Sequence, residues 1–341
     1  MTYSIPKQLV PVAGLPVLGH VLTDVAACGV TEVVVVTSPE SQRPISKMLT
    51  EVQLGLDVSV LVQPEPRGLA DAFSLALPFV GADECLLYLG DCVVTGGVSH
   101  MVDEHRTSGA DATILVEEVD DPSRYGIVEF DTDGVITRLV EKPKDSSSRM
   151  AIVGAYVFSS GAGSVANDVD PSWRGELEIT DAIQLIVDRG GTVRSSAIRG
   201  WWVDTGTVED VLSANARLLK SIETRVEGSI GDCKVEGEVI IEAGATVVAS
   251  TLIGPVVVAS GAKVEAACIG PNVTIGRDTI VRGAFISDSI VMDRVRLEGA
   301  RLVASLIGSG TIISDTSGHS ELSLVVGADS VIGSGPASQS G

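Results

Sequence analysis

Ile269-Gly270-Pro271-Asn272-Val273-Thr274-Ile275-Gly276-Arg277-Asp278-Thr279-Ile280-Val281 places an aliphatic residue at every sixth position and follows the first two with glycine. The same step joins Val235, Ile241, Val247 and Ile253, then Val258 and Val264, then Val291, Leu297 and Val303, then Ile307 and Ile313. Neither the period of two of a half-buried strand nor the 3.6 of a helix yields it. A six-residue aliphatic step in a Gly-, Ala- and Val-rich segment, with register slips between blocks, is the pattern of a parallel β-helix. Each coil buries its face only against its neighbours, so residues 223–332 are expected to form a solenoid that needs end caps or a partner, and a homo-oligomer is expected. Residues 333–341, rich in Ser, Gly and Pro, are expected to be a disordered tail.

Residues 1–222 have a different texture. Val17 to Ala26 recur with helical spacing and Gly29 ends the pattern, as a glycine beyond a helix C-terminus does. Glu32-Val33-Val34-Val35-Val36-Thr37 is a β-branched run suited to a strand buried on both faces. Strands then alternate with helices: Val58–Val62, helix Leu69–Phe79, Glu84–Leu89, helix His100–Ser108, Ala112–Glu117. That alternation implies an α/β layer structure, Rossmann-like, with a mostly parallel sheet. From Tyr125 hairpins follow, Asp133-Gly134 marking the turn between Tyr125–Phe130 and Val135–Val140. Ala151–Phe158 is expected to be a strand, Thr180 a plausible cap for a helix running to Val187, and Thr207 with Asp210 a capping box for a helix to about Ile222.

In open α/β sheets ligands bind beyond the carboxyl ends of strands, which puts Gln63–Gly68 and Gly90-Asp91 on one rim. Asp91 follows an apolar strand that gains nothing from a carboxylate; it suits a hard cation or the cap of a turn equally. Asp204 in Val203-Asp204-Thr205-Gly206 is a second isolated carboxylate. Lys7 and Lys142 are candidate phosphate ligands, Gly154 would let a ligand approach the backbone, and Glu176 could face a sugar hydroxyl.

With 45 acidic against 24 basic residues the formal charge is −21, a field that repels polyanions, so neither nucleic acid nor an anionic membrane is an expected partner. No apolar run reaches the roughly 18 residues of a membrane span, and the chain reads as cytoplasmic. Cys28, Cys85, Cys92, Cys233 and Cys268 are odd in number and scattered, which suits reduced thiols rather than disulfides or zinc.

Taken together, Pro6-Lys7-Gln8-Leu9-Val10-Pro11-Val12, Gln63-Pro64 with Arg67-Gly68-Leu69-Ala70, Leu89-Gly90-Asp91, Tyr125-Gly126, Glu141-Lys142-Pro143, Gly175-Glu176-Leu177-Glu178-Ile179-Thr180-Asp181 and Trp202-Val203-Asp204-Thr205-Gly206-Thr207 resemble, in order and over nearly the whole chain, the sugar-1-phosphate nucleotidyltransferases. The resemblance is greatest to long-form glucose-1-phosphate thymidylyltransferases, which carry a C-terminal left-handed β-helix. It implies that dTTP and glucose 1-phosphate give dTDP-glucose and pyrophosphate. It also implies Mg²⁺ on Asp91 and Asp204, base reading by Gln63 and the Gly68 backbone, sugar phosphate on Lys142, and a sugar site lined by Gly126, Glu141, Gly154 and Glu176. Lys7 would neutralise the phosphates of the transferring nucleotide. UTP in place of dTTP stays open, because Gln63 can pair with thymine or uracil.

Members of that family begin with an apolar strand and a Gly-rich loop that cradles the triphosphate; this sequence joins the pattern just after them, so the first strand of the sheet is expected to be missing. An upstream start or a catalytically impaired sugar-phosphate- or nucleotide-binding paralogue would each explain it. Cys92 stands where the family commonly has an amide or aliphatic residue. Some hexapeptide β-helices are acyltransferases that use a histidine, and the solenoid half offers only His319 for that role.

Overall fold

The computed structural model describes residues 5–52, 54–81, 83–314 and 321–333. His319, the first four residues and positions 334–341 lie outside the described residues. The chain forms two compact units: Gly19–Val203 is one, and the described residues of Met1–Leu18 with those of Asp204–Gly341 are the other.

In Gly19–Val203 the sheet is organised around Met150–Phe158, buried along nearly its whole length. This strand pairs antiparallel with Cys85–Tyr88, Ala112–Glu118 and Gly126–Phe130. Val193–Ala197 lies parallel to Ala112–Glu118, and Gly126–Phe130 forms a hairpin with Ile136–Glu141. The sheet is therefore mixed rather than mostly parallel. The hairpin returns Ile136–Glu141 antiparallel on Gly126–Phe130, and Met150–Phe158 pairs antiparallel on the other edge of Gly126–Phe130, so no helical crossover is needed between them. Glu32–Thr37 and Asp57–Val62 pair in parallel with each other and form a separate two-stranded sheet.

The expected helices form at Val17–Ala27, Leu69–Val80, Ser99–Ser108 and Ile179–Asp188. A further helix, Pro39–Glu51, was not expected; Ser38 caps it by accepting the Ser41 N–H at 3.3 Å, and it buries only Ile45 and Met48. Thr180 is not a cap. The cap position of Ile179–Asp188 is Glu178, and the Thr180 hydroxyl is committed to Glu141.

In the second unit a turn of 3₁₀ helix at Lys7–Leu9 leads into a hairpin of Pro11–Val12 and Leu15–Pro16. The helix Val208–Leu219 begins with the expected capping box of Thr207 and Asp210. Beyond it, three parallel sheets of seven, seven and five strands make a β-solenoid. Its core is three inward ladders: Ile241, Val258, Ile275, Val291 and Ile307; Val247, Val264, Val281, Leu297 and Ile313; Leu252, Ile269, Ile286 and Leu302. All are 1% exposed or less.

The coil repeat explains the slips in the sequence. Ile241, Val258 and Ile275 stack in register 17 residues apart, and Ile275, Val291 and Ile307 stack 16 apart, so one step of each earlier coil and two steps of each later coil take five residues instead of six. Ile253 and Val303 consequently sit beside the inward Leu252 and Leu302 rather than in the core. Val235 aligns with Leu252, but on the first coil of its face it remains 41% exposed. Gly333, assigned to the tail, ends the strand Val331–Gly333.

Candidate active site

Within Gly19–Val203 the sequence-derived residues collect at strand ends and hairpin edges. Gln63 follows Asp57–Val62, and its side-chain amide donates to the Gly68 carbonyl at 3.1 Å and to Asp71 at 2.8 Å. Both amide protons are thus used within the protein, leaving the Gln63 carbonyl oxygen as an acceptor. Gly68 has φ +116°, and a Cβ there would lie 2.4 Å from the Leu177 carbonyl oxygen, so only glycine fits. Leu177 fixes the loop from the other side: its N–H donates to Arg67 at 2.7 Å and its carbonyl accepts from Ala70 at 2.9 Å.

A second group surrounds Gly126, which pairs with Glu141 across the hairpin. A Cβ on Gly126 would meet Glu141 Oε2 and Thr180 Oγ1, each at 3.0 Å. Those two atoms are joined by a 2.6 Å hydrogen bond, the Thr180 hydroxyl donating. Arg174, which the sequence reading passed over, sits among three carboxylates. It donates to Glu176 at 2.8 Å and to Glu178 at 3.2 Å and lies 3.8 Å from Glu141. Burial pushes the Glu178 carboxyl above its ordinary range and the nearby Glu141 charge adds to this, while Ser172 and Arg174 pull it down. The legible signal was position alone: Arg174 directly precedes Gly175-Glu176 in an otherwise acidic chain.

Lys142 leaves the hairpin with φ +43°, a left-handed conformation that costs a side chain about 1–2 kcal/mol. Its N–H donates to the Tyr125 carbonyl at 3.0 Å, and its ammonium lies 3.9 Å from Glu141. Backbone strain of this kind collects where a side chain must be aimed. Gly154, φ +53°, marks the register break in Met150–Phe158; a Cβ there would approach Leu89 to 2.9 Å. The Leu89 N–H donates to the Gly154 carbonyl at 2.8 Å, so Gly154 packs against the backbone that delivers Gly90-Asp91.

Glu141, Lys142, Gly126 and Glu176 are therefore brought together around Arg174 and Thr180, Gln63 and Gly68 form a second cluster, and Gly154 adjoins the Asp91 loop. Lys7 and Asp204 belong to the other unit. Lys7 opens the 3₁₀ turn, its carbonyl accepting from Val10 at 3.1 Å, with Val10 and Val12 fully buried just beyond it. Asp204 ends the strand Trp202–Asp204, three residues before the cap Thr207. Among the described residues no group of three or more His, Cys, Asp or Glu stands together as a metal site, and no helix is long and apolar enough to cross a membrane.

The fold and the site motifs together define a nucleotide-transferring enzyme with an appended hexapeptide solenoid. Residues 1–221 match the nucleotidyl transferase family and residues 214–297 match the GlmU-like C-terminal hexapeptide family. The chain belongs to the nucleotidyl transferase family. It is similar to the glucose-1-phosphate thymidylyltransferase of Streptomyces griseus, 37% identical over 90% of this chain and 87% of that protein. It is also similar to the low-salt glycan biosynthesis nucleotidyltransferase Agl11 of Haloferax volcanii, 35% identical over 92% of this chain and 89% of that one. Among solved structures, a Bacillus anthracis protein in complex with sucrose superposes with a TM-score of 0.59 at 31% identity, covering 65% of this chain and 89% of that one. UDP-glucose pyrophosphorylase with UDP-glucose shares the fold at a TM-score of 0.57 and 22% identity, covering 64% and 92% of the two chains.

Proposed function

We propose that this nucleotidyltransferase couples dTTP to glucose 1-phosphate, forming dTDP-glucose and releasing pyrophosphate. The observation that carries the reading is the cluster at Gly126. The Glu141 carboxylate beside Gly126 and the Glu176 carboxylate, both held by Arg174, offer acceptors to sugar hydroxyls, and Lys142 next to Glu141 offers a cation to a phosphate. The names of the relatives support the same substrates.

A sugar-phosphate oxygen attacks the α-phosphorus, and the bond to the pyrophosphate oxygen breaks. Such a reaction needs positioning and charge neutralisation, not a covalent intermediate on a side chain. Lys142 holds the attacking phosphate, Lys7 offsets charge on the nucleotide, and Gly154 completes the sugar surface. The Gln63 carbonyl oxygen accepts the imide N–H of thymine or uracil, a proton that cytosine lacks at that position, with the Gly68 backbone beside it.

Asp91 and Asp204 are the proposed Mg²⁺ ligands. Mg²⁺ is commonly held by one or two carboxylates and takes its remaining oxygens from water and substrate phosphates. Bound there, the cation would supply Lewis-acid stabilisation of phosphate charge.

Pyrophosphate release measured with dTTP or UTP, glucose 1-phosphate and Mg²⁺ tests the proposal, with abolition by EDTA and by Asp204→Asn expected. No release with either nucleotide would overturn it. Calorimetric binding of both substrates without turnover would mark the chain as a non-catalytic binding paralogue instead.

A further inference from the structure

We infer that Asn215 is a positioning residue through which the solenoid seats the segment carrying Lys7. The inference rests on the reading of Lys7 given above and adds to it a role for the repeat domain. Asn215 lies on the helix Val208–Leu219 and is 0% exposed, an uncharged but fully polar side chain in a packed interface. Three of the four hydrogen bonds its amide can make go to other segments. Its Oδ1 accepts the Ala13 N–H at 2.8 Å and the Thr274 hydroxyl at 2.7 Å, and its Nδ2 donates to the Asn272 carbonyl at 3.1 Å. One amide therefore ties together the N-terminal hairpin, a helix and a solenoid coil.

The hairpin turn makes a second contact with the same face. Gly14 has φ +87°, and a Cβ there would lie 3.2 Å from Val257 Cγ1, whose residue pairs with Thr274 in the adjacent coil. Outward residues of this solenoid face, Val257, Thr274 and Ile290, are 2% exposed or less. On the neighbouring face the outward Lys263, Glu265, Arg296 and Glu298 are exposed, as outward solenoid residues ordinarily are. The Val257–Thr274–Ile290 face is thus built as a seat. Only Gln8 to Pro11 lie between Lys7 and Val12, and apart from Val10 they belong to the 3₁₀ turn and the first hairpin strand, so fixing Ala13 and Gly14 restrains Lys7.

Removing Asn215 would leave the half-buried Ala13 N–H and Asn272 carbonyl without their partner, which favours release of the hairpin over retention of unmet groups. A displacement of about 1 Å in a charge-stabilising group costs a phosphoryl transfer about 10- to 100-fold in rate.

The test uses the full chain with Asn215→Ala, and Thr274→Val as a milder change that keeps side-chain shape. Hydrogen–deuterium exchange is expected to rise at Ala13 and the adjoining hairpin amides in both variants and to stay at wild-type levels in Gly19–Val203. Steady-state rates are expected to show kcat down about 10- to 100-fold in Asn215→Ala, with KM for glucose 1-phosphate unchanged. Unchanged exchange at Ala13 in both variants would overturn the seat. Faster exchange with wild-type kcat, or a KM for the sugar phosphate that rises in step, would overturn the positioning role. Wild-type protein that turns over no substrate would defeat the proposed function alone, since the exchange arm reads the seat without any activity.

Discussion

At Gly126 the side chains of Glu141, Thr180 and Ile152 enclose a space that admits a methyl group only if they give way by a few tenths of an ångström. Gly126→Ala would press a Cβ against Glu141 Oε2 and Thr180 Oγ1 and force that hydrogen-bonded pair apart. The expected result is a KM for glucose 1-phosphate about tenfold higher with a near-normal unfolding midpoint, read by steady-state kinetics and calorimetry; this corresponds to about 1.4 kcal/mol.

Asp24, away from this site, carries a pH dependence. Burial pushes its carboxyl up from 3.8 to about 6, partly offset by the hydrogen bond the Tyr88 hydroxyl donates at 3.2 Å. The folded chain therefore holds this proton more tightly than the unfolded one. Its contribution to stability is fully present below about pH 4 and is lost as pH rises through about 6. Asp24→Asn should flatten that decline and raise the unfolding midpoint at neutral pH, measured by thermal melts across the range. Of the residue-scale chemistry, Glu141, Lys142 and Glu176 were legible as motif members. The role of Arg174 was not, because an ion-pair hub among three carboxylates exists only once a hairpin and a loop have come together.

At the scale of elements, the solenoid separates two adjacent aliphatic residues that look equivalent in sequence. Leu252→Ala, at 0% exposure in the inward ladder, should cost about 2–5 kcal/mol in denaturant unfolding. Ile253→Ala, on the flank of the same strand, should cost less than half as much; equal costs would contradict the inward assignment. The six-residue step was legible because each inward ladder must be aliphatic. The five-residue corner was not, since Leu252-Ile253 and Leu302-Val303 each offer two apolar neighbours and a fixed period selects the second. Pro39–Glu51 escaped notice for a related reason: it buries little and contains Pro44, which removes a backbone donor from its interior. Strand positions in Gly19–Val203 were readable from β-branched runs, but their directions depended on which strands pair, as the three antiparallel partners of Met150–Phe158 show.

Across the whole molecule, a repeat period marks where coils begin and says nothing about which distant segments lie on them. The hydrogen bond from Ala13 to Asn215 spans 202 residues of sequence, and no local pattern announces it. This long-range seat also sets an order of assembly. Gly19–Val203 is contiguous, so it can close on itself as soon as it has been synthesised, whereas the N-terminal hairpin must wait for both the helix Val208–Leu219 and the coil at Asn272–Thr274. Closing so large a loop comes late in refolding because its entropy is lost before its contacts form. Pulse-labelled exchange during refolding should find the Ala13 amide protected after those of Met150–Phe158, and simultaneous protection would contradict this order. On the roles proposed above for Lys7 and the Gly126 cluster, a newly made chain would remain catalytically silent until the repeats behind it have been wound.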